Sequence, residues 1–179
     1  MARTTFKGPV RSLSGFISTG DVMGQALSAG TVDGGTDVAG IDLYQGRCMT
    51  IDNNTTVFNL PEIVSDSAVN PNTLSTIGLE YQFLVTTNLS GETFTLNAGT
   101  AAGRSTADIF EGTAWYANTA AEPSTVTGWA SGSTDTLIID GSTRGGLCGT
   151  QIFCRSVAAN TWSITALLNG NGTFVTPWS

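Results

Sequence analysis

Residues 77 to 97, IGLEYQFLVTTNLSGETFTLN, decide the fold. In the first half, Tyr81, Phe83 and Val85 fall on one side of an extended chain, and Gln82, Leu84 and Thr86 fall on the other. In the second half, Phe94 and Leu96 alternate with Thr93, Thr95 and Asn97. A period of two is the mark of a half-buried strand, and Thr is at home on a pleated, solvated face. Between the halves, Asn88-Leu89-Ser90-Gly91 supplies turn residues. Ile77–Thr87 and Glu92–Asn97 are therefore expected to form a β-hairpin.

The same texture extends outward from this stretch. Short apolar runs recur at Val38–Tyr44, Cys48–Ile51, Thr55–Leu60, Thr125–Trp129, Thr136–Asp140, Gln151–Val157, Trp162–Leu168 and Thr173–Val175. In Trp162–Leu168 the set Trp162, Ile164, Ala166 and Leu168 alternates with Ser163, Thr165 and Leu167, which marks Trp162 as core. Ala107–Tyr116 is ambiguous, since Asp108 and Glu111 suit the start of one helical turn. No long run repeats an i, i+3, i+4, i+7 apolar pattern, and no repeat of 20–50 residues indicates a solenoid or propeller. The expected class is all-β, a jelly-roll-like two-sheet β-sandwich with an extended N-terminal arm. Residues 1–20 would be the arm and 21–179 a single domain.

Composition narrows the function. The 179 residues include 77 of Thr, Ser, Gly or Asn, yet 40% are hydrophobic, too apolar for a disordered polymer. There is no histidine, which excludes Ser-His-Asp and Cys-His catalysis and every His-containing zinc site. A net charge of −7 argues against wrapping nucleic acid. The charge is uneven: residues 1–20 carry Arg3, Lys7 and Arg11 without an acid, so the remainder is at −10. A short basic segment on an acidic body marks an interaction arm, the plain alternative being a solvated N-terminus. Pro9 fixes its own φ and pushes Gly8 towards an extended shape, which lets Phe6 and Phe16 insert into a surface.

Cys48, Cys148 and Cys154 are odd in number and lack paired spacing, as in a chain folded in a reducing cytoplasm, where they serve as small buried apolar residues. Residues 1–20 lack the continuous apolar stretch of a signal peptide. The uncharged segment 156–179 is broken by Asn, Gly and Pro, so no membrane span is expected. The sequons at Asn53, Asn54, Asn88 and Asn171 are what a Thr-rich chain shows by chance.

Five features invite a chemical reading. Gly99-Thr100-Ala101-Ala102-Gly103-Arg104-Ser105 is one residue short of a phosphate loop, has Arg in place of Lys and precedes no helix. Gly141-Ser142-Thr143-Arg144-Gly145 has nucleophile-elbow spacing but no base to activate the hydroxyl, and reads better as a turn. Asp33-Gly34-Gly35-Thr36-Asp37, with Asp21 and Asp42, offers oxygen ligands for Ca²⁺ but lacks EF-hand spacing, so a solvated turn is expected and no metal or other cofactor is assigned. Paired carboxylates for glycoside hydrolysis need no histidine, but nothing in the sequence pairs them. Trp115, Tyr116, Trp129, Trp162 and Trp178 are candidates for a sugar-stacking or protein-binding platform. Trp178, one residue from the C-terminus after Pro177, is a candidate oligomer-interface residue because it is hard to bury in a monomer.

The opening Thr5-Phe6-Lys7-Gly8-Pro9-Val10-Arg11-Ser12, followed by Gly15-Phe16, resembles the N-terminus of capsid decoration (cement) or head-fibre proteins of tailed bacteriophages, those of marine phages in particular. The closing region is similar to the same group: Gly145-Gly146, Gly149, Ala159-Asn160-Thr161-Trp162 and the terminal Thr176-Pro177-Trp178. Together these cover about a third of the chain. The resemblance implies a non-enzymatic, commonly trimeric β-protein, made in the host cytoplasm and attached outside an icosahedral head. Its partners would be the major capsid protein and itself. Carried over to this chain, it makes Arg3, Phe6, Lys7, Pro9, Arg11 and Phe16 the capsid-attachment candidates. A receptor- or glycan-binding module of a head or tail fibre is the alternative.

Overall fold

A computed structural model describes residues 25–27, 30–33, 46–63, 77–99, 108–120 and 125–179. The described strands are β1 (Gln25–Ala26), β2 (Gly30–Asp33), β3 (Cys48–Ile51), β4 (Thr56–Asn59), β5 (Glu80–Val85) and β6 (Phe94–Asn97), then β7 (Ile109–Asn118), β8 (Val126–Ala130), β9 (Thr136–Ile139), β10 (Gln151–Ala158) and β11 (Thr161–Gly170). They form a seven-stranded sheet in the order β1-β3-β5-β10-β11-β7-β8 and a four-stranded sheet in the order β2-β4-β6-β9. The protein is an all-β, two-sheet β-sandwich, and no described residue is helical.

The winding differs from the expected one. From β1 to β6 the described strands alternate between the two sheets. Each return lays a strand parallel to the one laid two elements earlier, so β1, β3 and β5 are parallel neighbours in the large sheet, and β2, β4 and β6 in the small one. The result is a flattened coil whose turns begin at Gln25, Cys48 and Glu80. Jelly rolls are built from antiparallel Greek keys, and this first half is not. The second half closes the coil with antiparallel strands, β10 on β5 and β9 on β6. β10 and β11 are an antiparallel pair, and β7 joins β11 in parallel over Ile109–Asn118.

The expected hairpin is therefore an arch. β5 pairs with β3 and β10, whereas β6 pairs with β4 and β9 in the opposite sheet. The connection of residues 86–93 crosses the edge of the sandwich, and Leu89 plugs it, buried to 1% exposure. Side chains pin the crossing: Asn53 Oδ1 accepts from the Ser90 N–H at 2.7 Å, and Asn88 Oδ1 accepts from the Cys148 N–H at 2.7 Å. The helical turn entertained near Asp108 and Glu111 is the start of the ten-residue β7. Asp108 is buried before it and accepts the Ile63 N–H at 2.9 Å. Thr173–Val175 is not a strand. The chain end instead makes an antiparallel bridge from Trp178 to Leu137. Val38–Tyr44 lies outside the described residues.

The core fills the space between the sheets with the alternating residues. Phe58 and Phe94 of the small sheet meet Phe83 of the large one, with ring centroids 5.0 and 5.3 Å apart, and Tyr81 stacks edge-on to Trp162 at 5.7 Å. A second aromatic group, Tyr116, Trp129 and Phe174, sits towards β8, with Tyr116 and Phe174 4.2 Å apart. Rings of this size bury enough apolar area to hold two facing sheets together.

Candidate docking surface

With one face of the large sheet committed to the core, its other face is solvated, and strand register fixes which side chains share it. One row across the strands reads Thr50, Leu84, Gln151, Leu167, Trp115 and Gly128; the next reads Cys48, Gln82, Phe153, Thr165, Thr113 and Ala130. Thr, Gln and Ser suit such a face. Leu167, Trp115 and Phe153 do not, yet they are 45%, 48% and 39% exposed. Leu167 and Trp115 are register partners on adjacent strands, and Val126, at 63% exposure, extends the apolar band to the sheet edge. Contiguous exposed apolar side chains on a rigid sheet are the usual mark of a contact surface. The Trp115 indole lies across Gly128, where a Cβ would come within 2.9 Å of Cζ3.

Beside this band lies a shallow depression lined by Glu80, Gln82, Phe153, Arg155, Ser163 and Thr165. The Arg155 guanidinium and the Glu80 carboxylate, cross-strand partners, approach to 3.4 Å with both side chains more than half exposed. An exposed pair of this kind adds little stability. It does place both signs of charge next to an aromatic ring.

Other expected features divide by location. The arm residues Arg3, Phe6, Lys7, Pro9, Arg11 and Phe16 lie outside the described residues, as do nearly all of the Gly99–Ser105 loop and the Asp33–Asp37 cluster. Trp178 is described, and it is not at a free surface. It is 9% exposed, its ring packs 6.3 Å from Phe110, and its Nε1 donates to the Trp129 carbonyl at 3.3 Å. The chain end folds back along β9, with the Ile138 N–H donating to Pro177 O at 2.8 Å, and so buries in its own core the indole expected at an oligomer interface. The aromatic platform dissolves for the same reason. Trp162 and Tyr116 are fully buried and Trp129 partly so, which leaves Trp115 as the exposed member.

Gly141–Gly145 is a turn between β9 and β10, organised by Asp140. Its Oδ1 accepts the Ser142 and Arg144 N–H groups at 2.9 Å, and its Oδ2 accepts the Thr143 hydroxyl at 2.7 Å. Thr143 is thereby engaged as a turn donor. Cys148 is exposed, Cys48 half-buried and Cys154 buried in the core, and all three are free thiols. Burial pushes the Cys154 thiol well above its ordinary pKa. Among the described residues no group of three His, Cys, Asp or Glu side chains is placed to hold a metal ion.

Only part of the band is visible in the sequence as an exception: Leu167, and Leu84 in the same row. Leu84 and Leu167 occupy outward positions of alternating strands whose other outward members are Gln, Ser and Thr. Phe153 and Trp115 lie in runs whose facing is not fixed by period alone. No family model, curated protein or solved structure matches the chain.

Proposed function

We propose that this chain is a non-enzymatic structural protein of a tailed-phage virion, docking as an oligomer on the outer surface of the head to reinforce it. The observation that carries the reading is the apolar band of Leu167, Trp115 and Phe153 on an otherwise Thr- and Gln-covered sheet face, the kind of surface that buries against another protein. The basic segment 1–20 adds the attachment element, with Arg3, Lys7 and Arg11 opposite acidic capsid patches and Phe6 and Phe16 in pockets. The thiols suit assembly in a cytoplasm.

The test is co-sedimentation of the purified full chain with emptied, undecorated tailed-phage heads, beside a chain lacking residues 2–16 and a Trp115→Ser, Leu167→Ser chain. Saturable binding by the full chain, reduced at least tenfold by the deletion and weakened as salt rises, supports the reading. Equal binding by the deleted chain moves the anchor to the sheet face. Failure of the full chain to bind any such head overturns the assignment.

One observation favours a second reading, a glycan-binding module of a fibre. The depression at Phe153 combines a ring for stacking with Gln82, Ser163, Thr165, Glu80 and Arg155 for hydroxyl groups. Saturable binding to one bacterial surface polysaccharide on a glycan array, lost on Phe153→Ala, supports this reading over the first.

A further inference from the structure

The two neighbouring strand edges at the Trp178 seam are treated differently by the fold. The edge of β9 is covered by the chain end: Ile138 N–H donates to Pro177 O, and Ser179 N–H donates to Thr136 O at 3.1 Å. At the end of the large sheet, β8 has β7 as its only strand partner among the described residues. Asn118 N–H donates to Thr125 O, and Ser131 N–H donates to Gly112 O, at the two ends of this pairing. In an antiparallel ladder the residues that bond to the partner alternate. Thr125, Thr127, Trp129 and Ser131 therefore bond towards β7, and Val126, Gly128 and Ala130 aim their N–H and C=O groups outward.

Among the described residues, nothing in the strand itself blunts that edge. Val126-Thr127-Gly128-Trp129-Ala130 has no charge and no proline, and its register with β7 runs without a bulge. It is also self-complementary. Turned about a two-fold axis at Gly128, the strand meets its own copy antiparallel, with Gly128 opposite Gly128 and Val126 opposite Ala130. The outward backbone groups then fall in hydrogen-bonded register, and small apolar side chains fall opposite each other. The outer face continues across the join. Trp115 already lies over Gly128, and the two Trp115 Cα atoms would be about 14 Å apart, three strand spacings. Each indole thus reaches over its own glycine towards the axis, and the apolar row that begins at Leu84 runs on into the second copy.

We infer that β8 is a self-association edge, through which two copies of this chain join their large sheets into one continuous sheet about a two-fold axis centred on Gly128. Such a contact is isologous and closes at two copies. It is short, so the dimer is of about micromolar affinity. The inference does not depend on the function proposed above.

Sedimentation velocity of the full chain over a concentration series tests it, together with amide hydrogen exchange at Val126, Gly128 and Ala130. The chain is expected to pass from monomer to dimer as concentration rises, with those amides becoming at least tenfold more protected as it does. A chain carrying Val126→Lys and Ala130→Lys places like charges opposite each other across the axis and should dimerise at least tenfold more weakly. A chain carrying Val126→Lys and Ala130→Glu places opposite charges there and should regain the dimer. Both sites are exposed, and circular dichroism verifies that each variant is folded. Should either variant misfold, the exchange of the unmodified chain decides. A monomer at about 100 μM, far above such a dissociation constant, overturns the inference. So does an oligomer, a trimer included, in which these amides exchange freely or whose mass the paired lysines leave unchanged.

Discussion

One carboxylate organises the loop between β9 and β10. Asp140 is only partly buried, and the loss of water works to raise its pKa. The Arg144 N–H, the Thr143 hydroxyl, the Ser142 N–H and the Arg144 charge act the other way and prevail, so the group sits below its ordinary value. Replacing Asp140 with Ala removes these hydrogen bonds and should cost about 1–3 kcal/mol in urea unfolding at pH 7. Because the folded pKa is the lower one, the stabilisation is complete above about pH 4 and fades as pH falls through the folded value. The gap between the two proteins should therefore narrow in acid, and a gap that widened there would contradict the assignment. The next residue, Gly141, is constrained from two directions. Its φ is 75°, and a Cβ would sit 1.4 Å from the Leu89 carbonyl oxygen. Gly141→Ala must strain the backbone and push the β5–β6 crossing away, which should lower the unfolding free energy by about 3 kcal/mol or more.

At the scale of the strand, period-two alternation predicted which residues face inward far better than it predicted neighbours. Tyr81, Phe83, Val85, Phe94, Leu96, Trp162, Ile164, Ala166 and Leu168 all face the core as their spacing requires. Alternation reports burial of one face and is silent about which strand lies alongside. Asn88–Gly91 has hairpin chemistry, but the eight residues from Thr86 to Thr93 are long enough to cross between sheets about 10 Å apart, and the apolar Leu89 within them needs a place to be buried. The coil leaves no repeat in the sequence, because its turns differ in length. The docking band was legible only as Leu84 and Leu167 out of place, since a side chain's exposure depends on the register that brings it beside Trp115 or Phe153. The burial of Trp178 is not legible in the sequence, because proximity to a terminus says nothing about docking. Trp178 ties β9 to β8 across the seam, so Trp178→Ala should cost about 3 kcal/mol. Removing residues 177–179 exposes a second uncharged edge at Thr136–Ile139 and should add aggregation, read by light scattering, to the fall in Tm.

At the scale of the whole molecule, two weak acids in the core make the sandwich sensitive to base. Burial raises the pKa of Cys154 and of Tyr81 above the ordinary thiol and phenol values. Both lie in the large sheet as register partners on β10 and β5, with Tyr81 against Phe58 and Trp162. A group whose folded pKa is raised holds its proton in the native chain after the unfolded chain has lost it, so stability falls once pH exceeds the unfolded value. For the thiol that value is about 8.5, and the loss by pH 10 amounts to about 2 kcal/mol. The same burial keeps Cys154 from thiol reagents until the sheets part, whereas exposed Cys148 reacts in the native state. Unfolding in urea at pH 7 and at pH 10 isolates the thiol's share. Cys154→Ala lowers stability at both values through the lost packing, but its decline between them should be smaller than the unmodified chain's by about 2 kcal/mol. Tyr81 is common to both chains and cancels in the comparison. Equal declines would mean that Cys154 ionises as readily in the folded chain as in the unfolded one, which a thiol sealed between the two sheets cannot do.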